Sequence, residues 1–128
     1  MHNITVLKPK SSDIPGILSL VNSDAEHLIQ RTKAEIRKKL TFWRIVKVER
    51  QVVACGCFDR YSKRMAEVRS FIVHPEHRGN GYAKAILKDL LTLSQPGQRV
   101  FVVTSLPDFF KKNAFSECLQ EKYILFYH

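Results

Sequence analysis

The sequence has little that would suit an oxidised, membrane-spanning or repetitive protein. Cysteine is limited to three residues, Cys55, Cys57 and Cys118, an odd number. Cys55 and Cys57 lie two apart on one expected strand, so they face the same side and are poorly placed to bridge. Reduced thiols packed as small hydrophobes, in a reducing compartment, fit this pattern. Adding His74 and His77 gives no spacing of a zinc site, and no metal is expected. No apolar run approaches the roughly 20 residues that cross a membrane as a helix. Met1-His2-Asn3 leads at once into a strand-like segment, which argues against a signal peptide and makes a cytoplasmic location the expectation. Internal repeats, low-complexity tracts and long linkers are also missing. A chain of 128 residues can build one core but not two, so a single domain over 1–128 is expected.

Acidic residues are scarce relative to basic ones: 12 Asp and Glu stand against 21 Lys and Arg, a formal charge of +9. A basic surface attracts polyanions, nucleic acid or a phosphorylated cofactor among them. The charges are scattered over Arg31 to Lys39, Arg60 to Arg69, Arg78, Lys111 and Lys112, without a single tail or basic helix stripe. With no interleaved aromatic and basic motif either, nucleic acid is not the expected partner. A second anionic partner beyond a phosphorylated cofactor stays open.

Ile4 to Lys8 alternates apolar and polar and reads as a first strand. Ser11-Ser12-Asp13 offers an N-cap and Pro15 suits a first helical turn, ahead of Ile14, Ile17, Leu18 and Val21 at helical spacing. A second helix is expected from about Ala25 to Lys39, with Leu28, Ile29, Ile36 and Leu40 as its apolar points. Strands follow at Phe42 to Val48 and Val52 to Phe58 around the turn Glu49-Arg50-Gln51, which lacks the usual glycine. Asp59 to Arg64 is polar and reads as a connection. The next strand starts near Met65, and the continuous Phe71, Ile72 and Val73 suggest burial on both faces. After a helix from near Gly81 to Leu93, Ser94 to Gly97 is a turn and Val100 to Val103 a strand. A short helical segment spans Pro107 to Lys112, and Ser116 to Tyr127 supplies one or two closing strands. The fold class is α+β: helices flanking a mixed, mostly antiparallel central sheet.

The organising stretch is Glu67 to Leu93. Pro75 stops the strand Val68 to Val73, because it has no N–H for a ladder. A short basic loop with Gly79 and Gly81 follows, then a helix with Ile86, Leu87, Leu90 and Leu91 on one face. Strand, glycine loop and helix N-terminus form an arrangement that binds phosphate through outward amides and the helix dipole. The spacing is neither a P-loop nor Gly-x-Gly-x-x-Gly. It is Arg-x-x-Gly-x-Ala (Arg78, Gly81, Ala83) after Val-x-Pro (Val73, Pro75). That resembles the acetyl-CoA-binding motif of the GNAT acetyltransferase superfamily, and the order of elements is the GNAT order. Gln30-Arg31-Thr32-Lys33-Ala34-Glu35-Ile36, the strand to Glu49, Ala54-Cys55-Gly56, Ala66-Glu67, and Val103-Thr104-Ser105 before Phe109-Phe110 further resemble the acetyltransferase domain of N-acetylglutamate synthases. The amino-acid kinase domain of many such synthases is not in this chain.

The resemblance implies an acetyl-CoA-dependent N-acetyltransferase in which a small-molecule amine, an amino acid such as glutamate among the candidates, attacks the thioester directly. It implies that Arg78, Gly79, Asn80, Gly81, Tyr82 and Ala83 hold the pyrophosphate of coenzyme A, with Lys84 adding charge. Phe71, Ile72 and Val73 would offer backbone groups to the pantetheine arm, and their side chains would also serve as core. Glu67 matches the general base; a surface glutamate paired with Arg69 is the plainer reading. A tyrosine is common as general acid at the position of Phe110, which is read here as lining the cofactor. Tyr82, Tyr123, Ser105 or water are the alternative acids. Arg31 matches an arginine expected to hold a substrate carboxylate, and Thr104 and Ser105 match a hydroxyl pair; a solvated helix charge is the plainer reading of Arg31. Acetylation of a protein or peptide amine, or a CoA-sensing regulatory module without catalysis, are the alternative functions. A homodimer is left open, and no membrane partner is expected.

Overall fold

A computed structural model describes residues 3–24, 28–104, 107–118 and 121–127. Among them, six strands form one sheet in the order β1-β2-β3-β4-β6-β5. The strands are β1 (Trp43–Val48), β2 (Gln51–Arg60), β3 (Met65–Val73), β4 (Arg99–Val103), β5 (Phe115–Cys118) and β6 (Glu121–Tyr127). Only β3 and β4 pair in parallel. A parallel pair needs a crossover, and helix α3 (Tyr82–Leu91) supplies it. Helices α1 (Ile14–Asn22), α2 (Lys33–Lys38) and α4 (Pro107–Lys111) complete the set. No helix among the described residues is long and apolar enough to cross a membrane.

Two buried clusters lie on the two faces of the sheet. On one, Ile86, Leu87 and Leu90 of α3 and Phe110 of α4 pack with Phe58, Val68, Val100, Val102 and Leu125. Gly56 lets α3 approach closely: a Cβ there would stand 2.9 Å from both Leu90 and Phe71. On the other face, Ile14, Ile17, Leu20 and Val21 of α1 and Ile36 of α2 cover Trp43, Ile45, Cys55, Cys57 and Ile72. The α1 spacing read from the sequence thus marks a buried helix face. Its start is tied by Asp13, whose carboxylate accepts from the Lys10 amide and from Lys47 Nζ, both at 2.8 Å.

Four expectations need correction. The first strand shrinks to one bridge, with Leu7 and Ile45 exchanging amide bonds of 2.8 and 3.0 Å. Its alternation is real, since Ile4 and Val6 turn inward, but alternating burial needs no ladder, and Pro9 has no donor to extend one. The second helix begins only at Lys33, after a Thr32 cap whose hydroxyl accepts from the Glu35 amide at 3.2 Å. Before it, the Asn22 side chain bonds both the N–H and the C=O of Arg31, at 2.9 and 3.1 Å, and so fixes that backbone outside a helix. The expected helical residues Ala25 to His27 lie outside the described residues. Strand β2 runs two residues past Phe58, so Asp59 and Arg60 belong to the sheet. Finally, β3 alternates half-buried and buried residues instead of being buried throughout, and Phe71 and Val73 are half-buried.

The turn without glycine is observed at Glu49 and Arg50, which adopt φ of 50° and 71°. Positive φ at both central residues is the geometry hairpins favour, with ordinary residues here carrying its strain.

Candidate active site

The cleft follows from how β3 leaves β4. Only Met65, Ala66 and Glu67 pair with Arg99, Val100 and Phe101. Beyond Glu67 the two strands diverge. A bulge adds to the divergence: between Cys57↔Arg69 and Cys55↔Ile72 the β3 strand carries an extra residue, and Ser70 takes a φ of 51°. Bulges bend a strand and re-aim its side chains. The opened edge forms one wall of a cleft of about 870 Å³, in the size range of cofactor pockets.

One end of the cleft is the glycine loop. His74 starts a single 3-10 turn, Pro75–His77, in which the Glu76 amide donates to His74 Nδ1 at 3.1 Å. Gly79 and Gly81 both have φ of 82°, a left-handed conformation that costs a residue with a Cβ about 1–2 kcal/mol. The first α3 amide bonded along the helix is Ala85, to the Gly81 carbonyl at 3.1 Å. By helix geometry the amides of Tyr82, Ala83 and Lys84 have no partner a turn earlier, and they sit at the positive end of the dipole. His77, Arg78, Gly79, Gly81, Tyr82, Ala83 and Lys84 all line the cleft. Arg78 Nε donates to the Val73 carbonyl at 3.3 Å. Asn80 turns its side chain back onto the His77 carbonyl at 3.0 Å and does not line the cleft.

The other end holds Glu67. It is half-buried and lines the cleft. The Tyr61 hydroxyl donates to its Oε1, and Arg69 Nε lies 3.7 Å from the same oxygen. Burial, the bond to Glu67 and the Glu67 charge push the Tyr61 phenol up to about 12. Between the two ends, Phe71, Ile72 and Val73 face Val102 and Val103 of β4, Thr104 just after it, and Phe109 and Phe110 of α4. Phe110 is buried, with Phe71, Phe109 and Phe115 rings 5.7, 5.0 and 5.4 Å away. Ser105 lies outside the described residues, as does the Tyr123 side chain.

Arg31 stands apart from the cleft lining. Its Nε donates to Ser70 Oγ at 3.0 Å and its Nη2 reaches Asp59 Oδ2 at 3.4 Å, with the guanidinium 5.7 Å from the Trp43 ring. Ser70 does line the cleft, so Arg31 is one residue behind the wall. Asp59 is the centre of this group: 3% of its side chain is exposed, and Arg31, Arg69 and Lys39 approach at 3.4, 3.2 and 3.6 Å. Burial would raise the Asp59 carboxyl, but Arg31, the Cys57 thiol, Lys39 and Arg69 together hold it below its ordinary value. Cys57 Sγ lies 3.4 Å from Asp59, and Cys55 and Cys57 are both free and buried. Among the described residues, no three His, Cys, Asp or Glu side chains gather as a metal site would need.

Sequence reasoning missed Asp59 and Tyr61, which were placed on a polar connection. A signal for Asp59 was present: continuing the alternation of Cys55 and Cys57 puts it on the same inward face. For Tyr61 there was none.

A model of the acetyltransferase (GNAT) family matches residues 15–114. Among curated relatives, an amino-acid acetyltransferase of Mycobacterium tuberculosis is 30% identical over 118 residues, covering 88% of this chain and 68% of the relative. One from Actinobacillus pleuropneumoniae is 27% identical over 100 residues, covering 74% of this chain but only 23% of the relative, so this chain spans a minor part of that longer protein. Among solved structures, a Mycobacterium tuberculosis protein in complex with CoA superposes with a TM-score of 0.82 at 28% identity, over 89% of this chain and 72% of that one. The N-acetylglutamate synthase of Neisseria gonorrhoeae, complexed with coenzyme A and N-acetyl-glutamate, gives a TM-score of 0.87 at 17% identity, over 99% of this chain and 35% of that one; at that identity the likeness speaks for the fold. With the glycine loop, the diverging β3 and β4 and the cleft between them, these matches establish that the chain belongs to the acetyltransferase (GNAT) family.

Proposed function

We propose that this chain is an acetyl-CoA-dependent N-acetyltransferase that transfers an acetyl group directly to the primary amine of a small molecule, with an amino acid such as glutamate as the candidate acceptor. The observation that carries this reading is a single cleft that joins an amide-lined glycine loop at one end to a carboxylate, Glu67, at the other. The acceptor class is suggested by the amino-acid acetyltransferase name of the Mycobacterium tuberculosis relative.

The lining suits acetyl-CoA. The amides of 79–84, with Arg78 and Lys84, would hold the pyrophosphate. The open β3 edge at Phe71, Ile72 and Val73 has backbone groups for the pantetheine amides, and one β3 amide would polarise the acetyl carbonyl as an oxyanion hole does. Phe110, with Phe71, forms an apolar wall behind the thioester. Acetyl-CoA brings an activated acyl group, and its thiol is acidic enough to leave with little help.

Glu67 would take the ammonium proton, directly or through one water, leaving a neutral amine. The amine nitrogen forms a bond to the acetyl carbon and sheds its second proton to water, the carbon–sulfur bond breaks, and the thiolate takes a proton to become free CoA. Phe110 cannot supply that proton; Tyr82, which lines the cleft, or water would. Thr104, just after β4, would contact the acceptor. Arg31 would orient an acceptor carboxylate through Ser70 or by turning part of its fork from Asp59 to the substrate.

The test is release of free CoA thiol with a panel of amino acids, polyamines and peptide amines. Turnover confined to one small amine supports the reading and names the acceptor. Tight acetyl-CoA binding without turnover on any amine overturns it. That outcome would favour a CoA-sensing module, a second reading kept in view by the buried Phe110 at the usual acid position.

A further inference from the structure

Tyr61 lies just past the end of β2, where its amide donates to the Met65 carbonyl at 2.9 Å. The tight return brings its ring against Phe101, with centroids 6.2 Å apart and planes at 29°. Phe101 is the β4 residue registered with Glu67. The stack therefore holds the phenol beside the Glu67 carboxylate, and the hydroxyl donates to Oε1. Tyr61 is 52% exposed and does not line the cleft, whereas Glu67 does. The carboxylate thus sits between a solvent-side phenol and the cleft.

We propose that Tyr61 is a positioning residue for the base, holding the Glu67 carboxylate with one oxygen committed outward and the other left for the incoming ammonium. This rests on the reading of Glu67 as the base. The groups facing Glu67 can be named from every side. Tyr61 comes from the β2–β3 turn and Arg69 from β3. Asp59 on β2, registered with Glu67, acts through Arg69, which it holds at 3.2 Å. The β4 neighbour, Phe101, is apolar. Tyr61 and Arg69 both act on Oε1, and neither engages the other oxygen. The raised Tyr61 phenol remains a donor throughout neutral pH.

Tyr61→Phe removes the hydroxyl and keeps the stacked ring. The kcat for the amine at neutral pH is expected to fall about tenfold, while acetyl-CoA affinity stays the same. In a Glu67→Gln background the same change is expected to add no further loss. An unchanged kcat, or an equal loss in both backgrounds, would overturn the proposal. The carboxyl carbon resonance of Glu67 gives the same answer without turnover: loss of its donor should shift it at neutral pH in Tyr61→Phe relative to the unsubstituted protein. If the protein turns over no amine, the transferase reading fails while this resonance still judges the Tyr61–Glu67 link. Phe101→Leu, which loosens the stack but keeps the hydroxyl, should move the resonance in the same direction by less; no movement in either variant counts against the proposal.

Discussion

Asp59 shows how one side chain sets the charge state of the region behind the cleft. Its carboxylate is buried and Arg31 is half-buried, with 9% of its side chain exposed; Lys39, with 44% of its side chain exposed, is screened by solvent and adds less. Removing one partner of a buried pair leaves the other charge uncompensated. Asp59→Asn should therefore lower stability by about 3 kcal/mol, measured by urea unfolding at neutral pH. The pH dependence has a fixed sign. The folded carboxyl lies below its ordinary 3.8, so its contribution is complete above that value and is lost as pH falls through the folded value. Unfolding curves recorded on either side of pH 3.8 should converge for the Asn variant and the unsubstituted protein in acid; a constant gap would contradict this. The candidacy of Glu67 came from the family resemblance, and its place near the start of a strand was legible in the sequence. Asp59 was not, because its role needs Arg31 from 28 residues away and Arg69 from the next strand, a meeting that only the folded register creates.

At the scale of elements, the glycine loop and the β3 bulge do the positioning. Gly79 has open space where a Cβ would go, so Gly79→Ala tests backbone conformation alone, whereas at Gly81 a Cβ would also stand 3.3 Å from Ile4. Each substitution should weaken acetyl-CoA binding about tenfold, given the 1–2 kcal/mol cost of left-handed backbone. Gly81→Ala should also lower the melting temperature more than Gly79→Ala. Equal affinities across all three proteins, by calorimetric titration, would remove the loop from cofactor binding. The loop, α3 and the order of elements along the chain were readable because proline, glycine and helical periodicity are local signals. The β3 bulge was not: Ser70 carries no glycine to announce its φ of 51°, and the strain is sustained by its buried contacts. The second helix was overread because apolar residues at Leu28 and Ile29 fit a helical spacing, yet Ile29 is 71% exposed and lines the cleft.

Across the whole molecule, the cleft joins a basic end to one where a carboxylate and a guanidinium meet. Arg78 and Lys84 gather at the α3 end, while Glu67 and Arg69 line the other. The basic end gives the excess of basic residues a partial role in attracting an anion. The motif marked the glycine-loop end in the sequence; the Glu67 end is assembled from residues of β2, β3, β4 and the segment before α2, which no linear spacing reveals. The central claim is that the loop binds acetyl-CoA and Glu67 activates the amine, as separable functions. Acetyl-CoA affinity and steady-state turnover measured side by side in Glu67→Gln test this most directly. The account predicts an unchanged dissociation constant with turnover reduced about a hundredfold or more. Turnover that survives the substitution, or affinity and turnover lost together, would contradict it.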